Sequence, residues 1–298
     1  MNIRAALTAA LALPAAVALT GPIAPVHAAA AVCQGQAATV EGSTGTITGT
    51  EGNDVIVGTG PDVSVQALGG NDLVCIVGGH VSTGAGDDSV LATAPEGTYT
   101  EANLFGGKDS FISLGGAAAV VYADEVSELR VDIGGGAGVV WLFPTSTPGT
   151  GSVSLGPLGG RIYALGETEA HVDLVHHTAG VDDLLEVSIA NVRSATGTGT
   201  TVRVTGDDGR NDLDGYGCDV VLVGGDGRDT LSKVGNGFDL DLPDCHHYRS
   251  VLKGGDGPDR LTGRNGDDVM LGGRGRDVAD GSGGNDRCVV EVARHCER

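Results

Sequence analysis

Four aspartates, Asp259, Asp268, Asp277 and Asp286, recur every nine residues, each two residues after a glycine: Gly257, Gly266, Gly275 and Gly284. Residues 254–289 divide without remainder into the nonapeptides GGDGPDRLT, GRNGDDVML, GGRGRDVAD and GSGGNDRCV. Carboxylates and backbone carbonyls are hard oxygen donors, and glycine lets a tight loop turn successive carbonyls to one side. The ion that suits such a set is Ca2+. It takes six to eight oxygens at about 2.3–2.6 Å, so one loop supplies about half a shell and a second must complete it. A plain Gly-Asp turn would account for any one of these loops. It would not impose a strict nine-residue period.

This pattern resembles the hemolysin-type, or RTX, calcium-binding repeat, Gly-Gly-x-Gly-x-Asp-x-U-x with U a large apolar residue. The resemblance implies a half coil per motif, motifs 18 residues apart stacked on one another, and the ion between stacked loops. Carried over to this chain, Gly255, Gly257 and Asp259 should face Gly273, Gly275 and Asp277, while Arg264, Gly266 and Asp268 should face Ser282, Gly284 and Asp286. Arg264 and Ser282 stand where the motif has its second glycine, which is tolerable where only their carbonyls bind. The U positions are Leu261, Met270, Ala279 and Cys288, so the interior at this end should be thin. GGDGRDTLS at 224–232 adds Gly225, Gly227 and Asp229. VGNGFDLDL at 234–242 adds Asp239, with Asp241 in the apolar place. Weaker copies end at Asp54, Asp62, Asp72, Asp88 and Asp109, at successive spacings of 8, 10, 16 and 21; Asp54, Asp72 and Asp88 are candidate ligands among them. The resemblance further implies a secreted bacterial protein, of actinobacterial type.

The elements that would position these loops are short strands. Runs such as AVVYA, LRVDI, GVVWLF, RIYAL, HVDLV, LEVSI and TVRVT, with Gly, Ser, Thr or Asp between them, continue where the motif fades. Even spacing of short apolar runs without a helical period suits a parallel coil. The expected fold is all-β, a right-handed parallel β-roll or β-helix solenoid with calcium-binding turns. Residues 31–112 should form degenerate repeats, 113–205 metal-free β-helix coils, and 206–298 a calcium β-roll with a disulfide-closed C-terminal cap. Helix should be confined to a cap near residues 89–103 or 288–298.

Residues 1–30 read as a signal peptide, with Arg4, the apolar run at 5–20 and a small-residue cleavage site ending at Ala28 or Ala30. In an oxidising compartment the six cysteines should pair, and a solenoid favours local pairs: Cys33–Cys75, Cys218–Cys245 and Cys288–Cys296. The net charge of −21 disfavours nucleic acid and anionic membranes as partners and suits divalent cations. No run outside residues 1–30 is long and apolar enough to span a membrane.

His171, His176, His177, His246 and His247 could ligate a transition metal or act as bases, but surface histidines are the reading favoured here. His176 and His177 would point to opposite faces of a strand. The function expected is a secreted, monomeric calcium-binding solenoid with a structural or interaction role at a cell surface or polysaccharide, and not an enzyme. The competing reading is a polysaccharide lyase or epimerase on a β-helix. One Trp, five Tyr, four Phe and three Lys are few for such a site, and no catalytic motif is present. An acidic cleft lined by Asp, His and Arg in the middle stretch would favour the enzyme.

Overall fold

Apolar residues at alternate positions, with glycine or aspartate turns every few residues, leave each strand one face to bury and no room to build a helix. Strands therefore stack coil on coil. The computed structural model describes residues 30–234, 245 and 247–297. They form an all-strand β-solenoid of about 13 turns. Apart from the Val32–Cys33 and Gln36–Ala37 pair and the Thr178–Val181 excursion, each strand pairs in parallel with a strand one coil away. On one side Val55–Gly58, Leu73–Ile76, Ser89–Ala92 and the second half of Tyr99–Ser113 are stacked in that order. On the other, Thr46–Thr48, Val63–Gln66, Gly79–Ser82 and the first half of Tyr99–Ser113 stack likewise. The C-terminal coils repeat the plan, with Asp219–Asp226, Arg249–Asp256, Asp267–Arg274 and Arg287–Val289 on one side. Asp212–Tyr216, Thr230–Lys233, Arg260–Asn265, Val278–Gly283 and Val292–Arg294 form the other.

Inward positions build one core along residues 31–298, which form a single compact unit. The core tapers toward the C-terminus: Leu213, Leu231 and Leu261 are followed in register by Ala279 and Ala293. Met270 and Ala279 are fully buried, while Cys288 only packs against the core's edge. The three disulfides are Cys33–Cys75, Cys218–Cys245 and Cys288–Cys296, as local pairing in a solenoid suggests.

Two expectations are corrected. Residues 89–103 and 288–297 contain no helix. Ser89–Ala92, the start of Tyr99–Ser113, Arg287–Val289 and Val292–Arg294 are strands paired to the coil before them, because their alternating residues complete the same core. The middle stretch is not parallel throughout either. Thr178–Val181 runs antiparallel between Glu169–Asp173 and Leu185–Ala190. The reversal is local: Asp173 Oδ1 accepts the N–H groups of Val175 and His176 (3.0 and 2.9 Å), and His177 takes a φ of +58°. Asp182 closes the excursion by accepting the N–H groups of Glu167, Thr168 and Glu169 (2.7–2.9 Å). The expected signal segment lies outside the described residues, apart from Ala30.

Candidate metal centre

In a parallel coil, residues one turn apart lie about 4.8 Å apart, so one aspartate per turn at a fixed place becomes a column of carboxylates. Three such ladders exist. In the N-terminal coils the N–H of Asp54 donates to Asp72 Oδ1 (2.8 Å), Asp72 to Asp88 (2.8 Å) and Asp88 to Asp109 (3.0 Å). In the C-terminal coils Asn211 donates to Asp229 (2.9 Å), Asp229 to Asp259 (2.8 Å) and Asp259 to Asp277 (2.9 Å). On the opposite corner Asp268 donates to Asp286 (2.9 Å). The C-terminal tail ends both of the latter two ladders, since Glu291 accepts the N–H of Asp277 and Glu297 that of Asp286.

Each carboxylate thus uses one oxygen to hold the layer before it. In all but Asp54 and Asp268 the other oxygen is left over. Oδ2 of Asp72, Asp88, Asp109, Asp229, Asp259, Asp277 and Asp286 is buried with no hydrogen-bond partner. A buried acceptor without a partner costs about 1–3 kcal/mol, and a repeated set of them in register calls for a shared explanation. At an effective dielectric near 20, two carboxylates about 5 Å apart also repel by roughly 3 kcal/mol. A cation between the layers removes both penalties.

The residue five places before each C-terminal ladder member is a glycine, and its surroundings show what the corner could offer such a cation. These residues are Gly206, Gly224, Gly254 and Gly272 in one ladder and Gly263 and Gly281 in the other. A Cβ on Gly224 would lie 2.5 Å from both Asp229 Oδ2 and the Gly254 carbonyl oxygen. At Gly263 it would lie 2.5 Å from Asp268 Oδ2 and 2.8 Å from the Gly281 carbonyl. At Gly224, Gly254, Gly263 and Gly281 a carboxylate oxygen and a carbonyl of the next layer converge on a space that only glycine leaves open; at Gly206 the Asn211 amide oxygen takes the carboxylate's part, and at Gly272 the Asp277 carboxylate stands alone. Among the described residues no three His, Cys, Asp or Glu side chains converge on one point. An ion held here would complete its shell from backbone carbonyls, which is hard-cation chemistry of the Ca2+ kind.

The predicted loop glycines support this geometry. Gly225, Gly227, Gly255, Gly257, Gly266, Gly273, Gly275 and Gly284 all have φ between +107° and +144°, and Ser282 is forced to +71°. Gly255 pairs with Gly273 and Arg264 with Ser282, the 18-residue stacking expected. Asp229, however, stacks on Asp259 across 30 residues, because the intervening coil carries an insertion. Asp239 and Asp241 fall in that insertion, outside the described residues. Asp62 is exposed in a turn and joins no ladder, so the spacings of 8 and 10 are one coil of 18. Asp54 is a ladder end: Thr39 donates to its Oδ1, and the N–H and hydroxyl of Thr50 to its Oδ2.

Sequence reasoning passed over Asn211, Asp109 as a ladder member, Glu291 and Glu297. The signal for Asn211 was present: GDDGRNDLD at 206–214 has Gly206, Gly209 and Leu213 at motif spacing, with asparagine in the aspartate's place.

Burial raises the ladder carboxyls. Asp88 and Asp229 are pushed up to about 6 and Asp109 to about 8, each mainly by desolvation with a neighbouring aspartate adding to it. Asp72, Asp259 and Asp286 are raised for the same leading reason. A carboxyl that resists ionising in the bare protein is one that a divalent cation would stabilise in its charged form.

No curated protein matches the chain. The family model of the RTX calcium-binding nonapeptide repeat matches it in four copies, over residues 46–75, 203–232 and 253–288. These stretches hold Asp54, Asp72, Asn211, Asp229, Asp259, Asp268, Asp277 and Asp286, and leave out Asp88, Asp109 and the middle coils. Ladder, glycine corner and family match coincide in the C-terminal coils, and the chain is a β-solenoid whose residues 46–75, 203–232 and 253–288 match the RTX calcium-binding nonapeptide repeat.

Proposed function

We propose that the protein is a secreted calcium-binding β-roll whose folding is coupled to calcium and whose role is structural or interactive. The observation that carries this reading is the row of buried, partnerless Oδ2 atoms facing next-layer carbonyls at glycine-lined corners. The metal ligands proposed are Asp229, Asp259, Asp277 and Asp286 with the loop carbonyls of Gly225, Gly227, Gly255, Gly257, Gly266, Gly273, Gly275 and Gly284. Asp268, Asp54, Asp72 and Asp88 take lesser roles in it. Export would supply the calcium, and the three disulfides suit the same compartment. Titration of the chelated protein by calorimetry, followed by circular dichroism, tests the proposal. Heat of binding with a cooperative gain of β signal is expected; no binding at millimolar calcium refutes it.

We also propose that the middle coils perform no chemistry. Both of their described histidines that have an acid beside them, and Arg161, are held in separate pairs: His171 with Glu186 (3.0 Å), His176 with Asp173 (2.7 Å), and Arg161 with Asp214 (2.8 Å) and Asp212. The hollow bordered by Asp124, Glu125, Phe143, Glu167 and Asp182 holds acids without a His, Lys or Arg. The solvent-facing stack of Tyr122, Trp141 and Tyr163 has its rings facing one another, with centroids 5.9 and 3.9 Å apart. Incubation with alginate, pectate and heparin-like polymers should yield no unsaturated product. Turnover lost on substituting His171 or His176 would reverse this reading.

A further inference from the structure

In the C-terminal ladders Asp268 alone has both carboxylate oxygens hydrogen-bonded. Arg264 N–H donates to its Oδ2 (2.9 Å), while the Ser250 hydroxyl (2.8 Å) and the Lys233 ammonium (3.1 Å) reach its Oδ1. Lys233 also donates to the Asn265 carbonyl oxygen (2.9 Å). It is 3 % exposed and Asp268 1 %, so the pair lies inside the coil. The ammonium also lies 5.8 Å from the centroid of the Tyr248 ring.

The place of Lys233 in the register gives this contact its meaning. Thr230, Leu231 and Ser232 pair with Arg260, Leu261 and Thr262, so Lys233 stands level with Gly263, and Gly263 in turn with Gly281. It occupies the cradle position of its own coil. At Gly263 a Cβ would meet the carboxylate of its own loop, Asp268, and the Gly281 carbonyl of the next layer; the longer Lys233 side chain reaches Asp268 and Asn265 of the layer after its own. The group this chain puts there is a cation, and it ends on two oxygens, one carboxylate and one backbone carbonyl.

We propose that Lys233 takes the place of a metal ion at the upper end of the Asp268–Asp286 ladder, and that the oxygens of Asp268 and Asn265 form a further Ca2+ site that its ammonium keeps filled. This rests on the calcium reading of the ladders. The chemistry is that of exchange between cations: an ammonium tethered to the coil supplies one positive charge at a fixed point without any calcium in solution. The Asp268–Asp286 ladder therefore starts from a layer already neutralised, and its ion-dependent step is the one between Asp268 and Asp286.

The test compares Lys233→Gly, which restores the glycine found at 263 and 281, with Lys233→Met, which keeps the length and removes the charge. Thermal unfolding and bound calcium are measured on the full chain, in chelator and in saturating calcium. In chelator both variants should lose about a hundredfold or more in folding constant, as for a buried ion pair deprived of one partner. In calcium Lys233→Gly should recover most of this loss and bind one more ion than the wild type, whereas Lys233→Met should not recover. Adding Asp268→Asn to Lys233→Gly should abolish the recovery. Equal losses for Lys233→Gly in chelator and in calcium, with unchanged stoichiometry, would overturn the proposal while leaving the other sites standing. A wild type that binds no calcium would instead overturn the reading beneath it.

Discussion

Both ends of the solenoid stack aspartates one per layer through the same backbone-to-carboxylate hydrogen bonds, and they differ five residues before each aspartate. In the C-terminal coils that residue is Gly206, Gly224, Gly254 and Gly272, or Gly263 and Gly281 on the other corner. In the N-terminal coils it is Gly49 once, then Ala67, Thr83 and Leu104, all fully buried. The hydrogen-bonded ladder is therefore indifferent to what fills the corner, and it can hold layers together with or without metal. Only where the corner stays empty do a carboxylate oxygen and a next-layer carbonyl look into open space. The difference separates two forms of one architecture: a spine whose corners after Asp54 are filled by Ala67, Thr83 and Leu104, and a column of glycine corners from Gly206 onward.

The largest effect expected is regional. Chelation should expose the amides of Asp229, Asp259 and Asp268 to hydrogen exchange while leaving those of Asp54, Asp72 and Asp88 protected, because the N-terminal spine keeps its bonds. Equal loss of protection at both ends would break the comparison. Single ligands come next. Asp259→Ala or Asp277→Ala removes one ion, worth on the order of 1.4 kcal/mol for a dissociation constant of about 10⁻⁴ M in about 10⁻³ M calcium. Either change also strands the N–H of the layer before it, at about 1–3 kcal/mol. Asp62→Ala, in an exposed turn, should stay within about 0.5 kcal/mol. Denaturant melts of the three variants in calcium decide the matter, and equal losses would erase the distinction between ladder and turn.

The C-terminal roll was legible because its period is strict: the glycine positions follow from the nonapeptide, the 18-residue stacking of Gly255 on Gly273 is what the RTX resemblance implies, and the Cys218–Cys245 and Cys288–Cys296 pairs follow from local pairing in a solenoid. What was not legible depended on register. Asp62 matches a Gly-Asp turn as well as Asp72 does, and only the coil length shows that Asp54 and Asp72 are the neighbours. Asn211 joins its ladder through its backbone N–H, and Glu291 and Glu297 close theirs through one carboxylate oxygen; none of these roles needs an aspartate, so a search for aspartate passes over them. Lys233 lies in Thr-Leu-Ser-Lys, where the alternation that buries Leu231 also turns the lysine inward. A lysine at an inward position signals a buried partner. The antiparallel excursion at Thr178–Val181 depends on how Asp173 and Asp182 cap the chain, which no periodicity reveals.

Acid should act on the two states of the C-terminal ladder in opposite senses. Asp229 is raised to about 6 in the folded chain, so its folded form binds protons more tightly than the unfolded chain. Its contribution to stability is fully present below about 4, the ordinary carboxylate value, and is lost as pH rises through about 6. Chelated protein should therefore lose stability across that window. Calcium competes with the proton, so the stabilisation it adds should be small near pH 4.5 and full by pH 7.5. Melting temperatures with and without calcium at several pH values measure this, and an increment that did not vary with pH would show that the raised carboxyls are not the ones that meet the ion.

The smallest effect is the one that tests the corner residue directly. Gly224→Ala places a Cβ 2.5 Å from both Asp229 Oδ2 and the Gly254 carbonyl. It should lower calcium affinity of the adjoining site by about tenfold, some 1.4 kcal/mol. Ala67→Gly is its mirror. In chelator it should cost about 0.5–1 kcal/mol through added backbone freedom. In calcium part of that loss should return, because the corner beside Asp72 Oδ2, buried and without a partner, would now be open. The sign of the calcium effect on Ala67→Gly relative to the wild type is the informative quantity. If opening that corner gives no calcium-dependent recovery while Gly224→Ala loses affinity, glycine is necessary but not sufficient, and the regular loop of the C-terminal motif must also supply carbonyls that the N-terminal loops turn elsewhere.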